Sequence, residues 1–362
     1  MSERTRQTSL PGFDDREQPG DTRPDPSLAS AASGREALAG NLPASVPRRK
    51  SDRLDQAEPE AASRSANVNE EGALAGKSVW VIDSHSLIHQ VFHALPEMKS
   101  PRGQPTGAVF GFTRDLLYLL AQKRPDYLFC AFDLPGGTFR HAVYDQYKAQ
   151  RAAMPSELVP QIPSIRRVLA ALGIPALDCP SYEADDILAT VARLAQERGA
   201  RCLLVTNDKD CRQLIDQRVA IYNIRKDEVL DAAGLQQQWG IAPAQVVDFL
   251  ALVGDSVDNV PGVPLIGPKF AKQLLAEHGR LEAVLAHAGE VGGKRGENLR
   301  QFRQQAELSR DLVRLNARVP LEIDWDAARP IHIDRQAARQ LFSEFGFRTM
   351  GEKLDAVLKA SG

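Results

Sequence analysis

Four short apolar runs that alternate with helix-like segments constrain the fold of this chain more than any other feature. The runs are SVWVI (78–82), YLFCAF (127–132), RCLLVT (201–206) and VAIYN (219–223). Between them lie three segments with apolar residues at helical spacing, at 106–121, 156–172 and 182–198. Strands that alternate with helices build βαβ units around a largely parallel sheet. We therefore predict an α/β core with a mixed, largely parallel sheet flanked by helices.

Strand-like runs become scarce after about residue 241, and helical periods replace them. Helices are predicted in PAQVVDFLALVG, GPKFAKQLLAEHG and RLEAVLAHAG, over 296–310, and near 335–345 and 349–360. The first 72 residues, in contrast, are rich in Pro, Ser, Ala, Arg and acids without a sustained apolar period. We predict a disordered extension over 1–72, an α/β core over 73–240 and a helical region over 241–362.

The cysteines and the apolar runs bear on the compartment. No C-x-x-C pair occurs among Cys130, Cys179, Cys202 and Cys211, which indicates reduced thiols in a cytoplasmic protein. No apolar run is long enough to span a bilayer, and no signal-peptide core follows the first methionine. We expect a soluble, cytoplasmic monomer that does not bind membranes.

Acidic residues recur where the predicted strands end. Asp83 follows VWVI, Asp133 follows LFCAF, and LLVT leads into Asp208 and Asp210. The ligand sites of parallel α/β sheets lie at the carboxyl ends of the strands. We therefore expect these four carboxylates to converge at one edge of the sheet.

Two further acidic clusters are YEADD (Glu183, Asp185, Asp186) at a helix start and GDSVDN (Asp255, Asp258) in a loop. Each alone has a second interpretation, since acids favour the first helical turn and Asp builds turns. Carboxylates crowded into one cleft repel one another unless cations neutralise them, and oxygen ligands select hard ions such as Mg²⁺. Two such ions, about 3.5–4 Å apart, support phosphodiester hydrolysis. The clusters together predict a two-metal nuclease.

The formal net charge of −2 conceals an uneven distribution. Residues 1–72 hold 10 of the 45 Lys and Arg and 13 of the 47 Asp and Glu, which leaves 35 basic and 34 acidic residues. With nine acids assigned to one metal site, the rest of the folded part has 35 basic residues against 25 acidic ones. That excess is enough for a phosphate-binding surface.

The segment TFRHAVYDQYKAQR (138–151) predicts a basic and aromatic stripe. If it is helical, one face carries Arg140, Tyr144, Tyr147 and Arg151, with Lys148 beside them. Cations with interleaved aromatics suit phosphates and unstacked bases. An ordinary amphipathic helix would show the same pattern.

The string VPGVPLIGPKFAKQLL (260–275) is typical of a helix-hairpin-helix element. Gly262 and Gly267 allow close backbone approach, and a helix that begins near Pro268 offers free N–H groups and Lys269 to a phosphate. Such an element grips duplex backbone without reading its sequence. A simple loop between helices is the alternative.

The stretch VIDSHSLIHQVFHAL carries His85, His89 and His93 four residues apart. The first and last lie about 12 Å apart along a helix at ~1.5 Å per residue, whereas zinc needs each nitrogen at about 2.0–2.1 Å. A two-histidine site is the remaining metal alternative. We assign the chemistry of this stretch to Asp83.

Several of these motifs, in this order, resemble the 5′ nuclease domain of bacterial DNA polymerase I, within the flap endonuclease superfamily. The resemblance runs from about Lys77 to Leu358. It is carried by IDSHSLIHQVFHAL, FDLPGGTFRHAVYDQYKAQR, YEADDILAT, TNDKDCRQLI, DFLALVGDSVDNVPGVPLIGPKFA, RVPLEID and LFSEFGF. It implies a PIN-like core, a helical arch at about 134–160 and a helix-hairpin-helix region that holds duplex DNA.

The resemblance also implies roles for single residues. Around one metal position it places Asp83, Asp133, Glu183 and Asp185. The site is completed, or a second position is formed, by Asp186, Asp208, Asp210, Asp255 and Asp258. Near the scissile phosphate it places Lys148 and Arg151, assisted by Arg140. The hairpin is matched by Gly262, Gly267 and Lys269, and its carbonyls are a candidate K⁺ site.

The chain departs from the family pattern at several positions, none of which removes a carboxylate. Ser84 replaces a usual glycine, and His89 and Gln90 replace a common Tyr-Arg pair, which puts one phosphate contact in doubt. Val257 replaces a small polar residue, and Phe270 replaces a threonine.

The sequence therefore predicts a structure-selective 5′→3′ exonuclease and flap endonuclease that depends on two Mg²⁺ or Mn²⁺ ions. Its expected substrates are DNA with 5′ flaps, nicks or ends, and RNA primers. We expect a stand-alone nuclease, with a DNA polymerase as a candidate partner. A non-catalytic DNA-junction binder and a PIN-type ribonuclease are the alternatives.

Overall fold

A six-stranded sheet forms the centre of the computed structural model, which describes residues 72–361. Its strands are β1 (Ser78–Asp83), β2 (Tyr127–Ala131), β3 (Ala176–Leu177), β4 (Arg201–Val205), β5 (Val219–Asn223) and β6 (Glu228–Leu230). They lie in the order β3-β2-β1-β4-β5-β6, and all neighbours are parallel except the antiparallel pair β5–β6. The predicted fold class is confirmed.

Helices cover both faces of the sheet and make up most of the chain after residue 241. They are α1 (Ser84–Ala94), α2 (Gly107–Tyr118), α3 (Phe139–Val143), α4 (Gln161–Ala171), α5 (Ala184–Glu197), α6 (Ala232–Trp239), α7 (Val246–Val253), α8 (Pro268–His278), α9 (Leu281–Ala286), α10 (Gly293–Gln301), α11 (Arg303–Val313), α12 (Arg335–Phe345) and α13 (Met350–Ser361). A π-helical turn extends α2, and 3-10 turns cover Asp210–Leu214 and Pro243–Gln245.

The central strand β1 feeds two apolar clusters because successive side chains of a strand point to opposite faces. Val79 and Val81 pack into one cluster, which includes α5 and α7. Trp80 and Ile82 pack into the other, which includes α1, α2, α4 and α12. This burial on both faces holds the carboxyl ends of the strands in fixed register, with Asp83 beside Ala131.

The four predicted strands and the helices predicted after residue 241 are present. The short strands β3 and β6 and the helix α6 were not predicted. Helix α6 is capped at its N-terminus by Asp231, whose side chain accepts the Gly234 N–H, and at its C-terminus by the left-handed Gly240. It buries Leu235 and contains three glutamines, so its sequence lacks the apolar stripe that would indicate a helix.

The segment 134–160 forms a helix only over Phe139–Val143, so the single helical face that a helix over 138–151 would present does not form. Tyr144 is extended, with φ −145°, and Lys148 has a left-handed φ of 55°. The break lets the Tyr147 hydroxyl donate to Glu183 at 3.1 Å and the Lys148 N–H donate to the Asp258 carbonyl at 3.0 Å. Long-range polar contacts therefore override the local helical period.

The predicted N-terminal extension lies outside the described residues, apart from Gly72. Among residues 72–361, no helix is both long and apolar enough to cross a membrane.

Candidate metal and nucleic-acid site

A cavity of about 1210 Å³ opens at the carboxyl edge of the sheet. Five of the predicted acidic residues line it: Asp83, Asp133, Glu183, Asp185 and Asp208. Asp83 ends β1, Asp133 and Asp208 follow β2 and β4, and the other two lie at the start of α5. The parallel order of these strands brings together residues that are up to 125 positions apart in the chain.

Asp83 ends β1 and caps α1. Its carboxylate accepts the Ser86 N–H at 3.0 Å and the Thr206 hydroxyl at 2.9 Å. Burial raises the pKa of Asp83 to about 7, and the charges of Asp133 and Asp208 act in the same direction. The two hydrogen bonds lower this pKa but do not offset the burial. A divalent cation would stabilise the ionised form.

Asp133 and Asp185 connect the sheet to α5. The Asp133 carboxylate accepts the Ala184 N–H at 2.8 Å, which fixes the start of α5 against the end of β2. Asp185 accepts a hydrogen bond from the Cys211 thiol at 3.3 Å. Burial, followed by the charge of Asp208, raises the pKa of Asp185 well above its usual value. Asp185 is therefore an acid with a weak partner and a like-charged neighbour.

A second group, here called the aspartate cluster, consists of Asp210, Asp255 and Asp258. One carboxylate oxygen from each lies within 4.8 Å of the others, and all three side chains are buried. Burial and neighbouring carboxylates raise the pKa values of Asp210 and Asp258. Asp210 Oδ1 is buried and has no hydrogen-bond partner in the part of the chain that the structure describes. Lys209 Nζ lies 2.8 Å from Asp255 Oδ2.

Asp186 is in a different environment from its neighbour Asp185. Its side chain is 0% exposed, and its two oxygens receive the Arg140 guanidinium at 2.7 and 2.8 Å. The same oxygens accept the N–H groups of Glu183 at 3.1 Å and Asn316 at 2.8 Å. Asp186 does not line the large cavity. Protein donors therefore engage both oxygens of Asp186, which does not favour its predicted role as a metal ligand.

Arg140, Glu183 and Asp186 form a buried ion network, here called the Arg140 knot. The guanidinium is 1% exposed and uses its remaining donors on the carbonyls of Leu312 at 2.8 Å and Arg314 at 3.0 Å. Its contact with Glu183 Oε2 measures 3.2 Å. The expectation that Arg140 contacts DNA is wrong, since it has no exposed donor. It instead ties the N-terminus of α5 to the chain after α11.

Lys148 and Arg151, which the resemblance places near the scissile phosphate, line the cavity. Lys148 Nζ lies 2.8 Å from Glu183 Oε1 and 3.6 Å from Asp258 Oδ2, so it connects the two groups of acids. Arg151 lies 3.8 Å from Asp258 and its side chain is 54% exposed. Tyr144 is half-buried and packs against the core.

Gly262 has an internal role. It has φ 61°, and a Cβ there would lie 2.5 Å from the Gly254 backbone nitrogen. Its N–H donates to Ser309 Oγ at 3.1 Å, and its carbonyl accepts from Gln305 at 2.7 Å. The expectation that Gly262 approaches DNA is corrected, because its backbone packs against the end of α7.

The rest of the hairpin is accessible. Gly267 precedes the first turn of α8, and both Gly267 and Lys269 are exposed. Phe270 is partly buried, and the Arg295 guanidinium lies 4.6 Å from its ring centroid. Phe270, which replaces the threonine common in the family, therefore adds an apolar contact inside the helical region.

The three histidines of α1 do not converge. His85 Nδ1 accepts the Asp133 N–H at 3.1 Å, and burial lowers the pKa of this imidazole. The rings of His89 and His93 are nearly parallel, with centroids 6.3 Å apart. Gln90 also lines the cavity, and its Nε2 donates to Ser86 Oγ at 3.1 Å.

Sequence reasoning missed several residues of the site. Thr206 donates to the carboxylate of Asp83, and Cys211 donates to that of Asp185. Tyr147, predicted in the basic and aromatic stripe, donates to Glu183 instead. Lys209, which pairs with Asp255, is a further residue of the site. Its position between two acids in the string DKD was the available sequence signal for this role.

Comparison with known proteins identifies the family. Residues 78–240 match the family described as 5′-3′ exonuclease, N-terminal resolvase-like domain, and residues 241–336 match 5′-3′ exonuclease, C-terminal SAM fold. A 5′-3′ exonuclease from Aquifex aeolicus is 34% identical over 283 residues, covering 78% of this chain and 97% of the relative. DNA polymerase I from Rhizobium leguminosarum is 42% identical over 261 residues, covering 70% of this chain but 26% of the polymerase.

Solved structures show the same fold at low sequence identity. T5 5′-exonuclease with bound zinc has a TM-score of 0.57 at 17% identity, covering 79% of this chain and all of that one. Flap endonuclease-1 from Methanococcus jannaschii has a TM-score of 0.51 at 16% identity, covering 81% and 95%. The chain therefore belongs to the 5′-3′ exonuclease family of hydrolytic nucleases.

Proposed function

We propose that this chain is a divalent-metal-dependent, structure-selective 5′→3′ exonuclease and flap endonuclease acting on DNA and RNA primers near 5′ ends, nicks and junctions. The observation that carries the proposal is the aspartate cluster beside the acidic cavity. Three buried carboxylates converge there, and Asp210 Oδ1 has no described hydrogen-bond partner. Burial and neighbouring carboxylates raise the pKa values of Asp210 and Asp258, and a cation would favour their ionised forms.

The donor set fits two hard cations such as Mg²⁺ or Mn²⁺, because all candidate ligands are carboxylate oxygens. One position would be held by Asp83, Asp133, Glu183 and Asp185. The other would be held by Asp208, Asp210, Asp255 and Asp258. When bound, such ions lower the pKa of water and stabilise the leaving oxygen of a phosphodiester.

The protein side chains would position the substrate. Lys148 and Arg151 at the cavity rim would contact the phosphate to be cleaved and offset the charge that develops there. Lys148 now pairs with Glu183 and Asp258, so it would exchange a carboxylate for a phosphate when the substrate binds. The Arg140 knot would hold Glu183 in place throughout.

The exposed hairpin would hold the duplex. Gly267 and Lys269 would contact its backbone at the start of α8. A K⁺ ion there would use carbonyls after Pro264, because the Gly262 and Pro264 carbonyls already accept from Gln305 and Asn298.

The relatives and the cysteines support a proposal for the setting of the activity. We propose that the N-terminal 72 residues are an extension outside the 73–240 nuclease core and the 241–362 DNA-binding region. Several relatives are named DNA polymerase I, which supports a polymerase as a partner. The four free cysteines support a cytoplasmic location.

The proposal is tested with labelled 5′-flap DNA and single-stranded RNA, each incubated with Mg²⁺ or EDTA. We expect Mg²⁺-dependent cleavage of the flap DNA, and none with the Asp83→Asn variant. Tight flap binding without cleavage would instead identify a non-catalytic junction binder. Cleavage of the RNA alone would identify a PIN-type ribonuclease.

A further inference from the structure

A small polar cavity of about 130 Å³ lies beside the acidic site. Asn207 and Asp208 line both cavities, so the two are neighbours at the carboxyl edge of the sheet. The small cavity is completed by residues of the 3-10 turn, the β5–β6 hairpin and α6, among them Arg212, Asn223, Lys226 and Gln238. None of these four residues belongs to the candidate metal site or to the helix-hairpin-helix element.

Arg212 is the unusual residue of this cavity. Its Nη1 atom is buried, and within residues 72–361 it has no hydrogen-bond partner. No carboxylate in the described part of the chain forms an ion pair with it, although its guanidinium lies 4.2 Å from the Trp239 ring centroid. A buried cationic donor without an acceptor is costly and is normally paired. Its stacking on Trp239 fixes the guanidinium plane beside the cavity.

The other lining groups favour an anion that contains oxygen. Asn223 Oδ1 already accepts the N–H groups of Arg225 at 2.9 Å and Lys226 at 3.1 Å, which leaves its amide nitrogen as a donor. Lys226 and Gln238 are exposed at the rim. The cations that line this cavity are the Arg212 guanidinium and the Lys226 ammonium. The planar donor fork of a guanidinium matches the oxygens of a phosphate.

Two acids also line the cavity and oppose an anion. Glu228 is exposed, so solvent screens its charge. Asp208 accepts the Asp210 N–H at 2.8 Å and is one of the acids that the proposed metal ions would neutralise. The half-buried Arg212 guanidinium, whose Nη1 atom is enclosed, therefore remains the strongest local determinant.

We propose that this Arg212 pocket binds a backbone phosphate of the nucleic acid, close to the phosphate that is cleaved. The inference rests on the proposed function, because that function supplies the phosphodiester strand. It adds a binding contact on the β5–β6 side of the acidic cavity, away from Lys148 and the hairpin. Free phosphate has the same chemistry and is the other source that the test separates.

The test measures binding of 5′-flap DNA to the full chain by fluorescence anisotropy over a KCl series, in the non-cleaving Asp83→Asn background. Loss of one phosphate contact lowers the slope of log K against log[KCl] by about 0.9. We expect Arg212→Gln to cause this loss and to weaken binding about tenfold. The matched control Arg335→Gln removes an exposed arginine of α12 and should leave the slope unchanged.

Two further measurements make the outcome decisive. Lys226→Gln changes an exposed residue and should lower the affinity severalfold, which keeps the test valid if Arg212→Gln fails to fold. Inorganic phosphate should raise the melting temperature of the parent protein more than that of Arg212→Gln.

An unchanged slope for both variants overturns the proposal. If the phosphate effect is then lost in Arg212→Gln, free phosphate is the ligand and the backbone assignment is rejected. Failure of the proposed function is distinguished because the wild-type chain would then not cleave flap DNA.

Discussion

The Arg140 knot and the aspartate cluster both bury carboxylates, but they differ in the hydrogen-bond donors that surround those carboxylates. In the knot, Asp186 receives a bidentate guanidinium and two backbone N–H groups. In the cluster, Asp210 has an oxygen without a described partner and two carboxylates close by. Burial alone therefore does not distinguish Asp186 from Asp210, whereas the donors around each carboxylate do.

The largest contrast is expected from Asp210→Asn. It should reduce flap cleavage on the order of 10³-fold, because the proposed metal ions supply several kcal/mol of transition-state stabilisation. The metal-free protein should become more stable, since burial and like charges oppose ionisation of Asp210 in the fold. Cleavage rates with Mg²⁺ and thermal melts in EDTA measure the two effects. Asp311→Asn, on the exposed face of α11, is the control. A wild-type cleavage rate for Asp210→Asn would contradict the role of the aspartate cluster in metal binding.

Asp186→Asn should act on the fold instead. Breaking a buried ion pair leaves Arg140 partly uncompensated and costs about 3–5 kcal/mol of unfolding free energy. The matched control is Glu344→Gln, which removes an exposed bidentate pair with Arg167 and should cost about 0–1 kcal/mol. Urea unfolding at neutral pH measures both. Equal losses of unfolding free energy in the two variants would show that the Arg140 knot stabilises the fold no more than an exposed ion pair.

The acidic cavity should also give the metal-free protein an unusual pH dependence. The folded pKa of Asp83 is raised from its ordinary 3.8 to about 7, so the folded state holds this proton more tightly than the unfolded state. The unfolding free energy in EDTA should therefore fall as pH rises from about 4 to about 7, at up to ~1.4 kcal/mol per pH unit for this group.

Thermal melts across this pH range measure that slope. Asp83→Asn should reduce it, and Mg²⁺ should reduce it in the wild type by favouring the ionised carboxylates. A rising stability over the same range in EDTA would contradict the assigned burial of Asp83.

The smallest effect is expected from Gln90→Arg on the cavity wall. Gln90 is uncharged where the family resemblance implies an arginine, so the variant should gain about one phosphate contact. We expect flap-DNA affinity to rise severalfold at low salt and the salt slope to steepen by about 0.9. Anisotropy titrations in the Asp83→Asn background check this. An unchanged slope would show that α1 does not face the bound strand.

The sequence predicted the elements that carry the acids because the βαβ pattern and the strand ends are local signals. Burial of β1 on both faces and the parallel order then made convergence at one edge predictable. What it could not predict was the partner of each side chain. Asp185 and Asp186 are adjacent in the chain, yet three of the four donors to Asp186 come from residues 46 and 130 positions away.

The predictions for Arg140 and for the segment 138–151 failed for the same physical reason. A stripe of basic and aromatic residues at helical spacing gives no indication that Tyr147 and Lys148 contact acids on α5 and in the 255–260 loop. Gly262 was assigned to DNA for a similar reason, because a close approach to Gly254 is invisible in sequence.

The most direct test of the central claim is the number of Mn²⁺ ions bound by the full chain, counted by electron paramagnetic resonance titration. We expect two ions for the wild type, two for Asp311→Asn, and the loss or marked weakening of one in Asp210→Asn. A wild type that binds no Mn²⁺, or an Asp210→Asn variant that binds two ions with wild-type affinity, would contradict it.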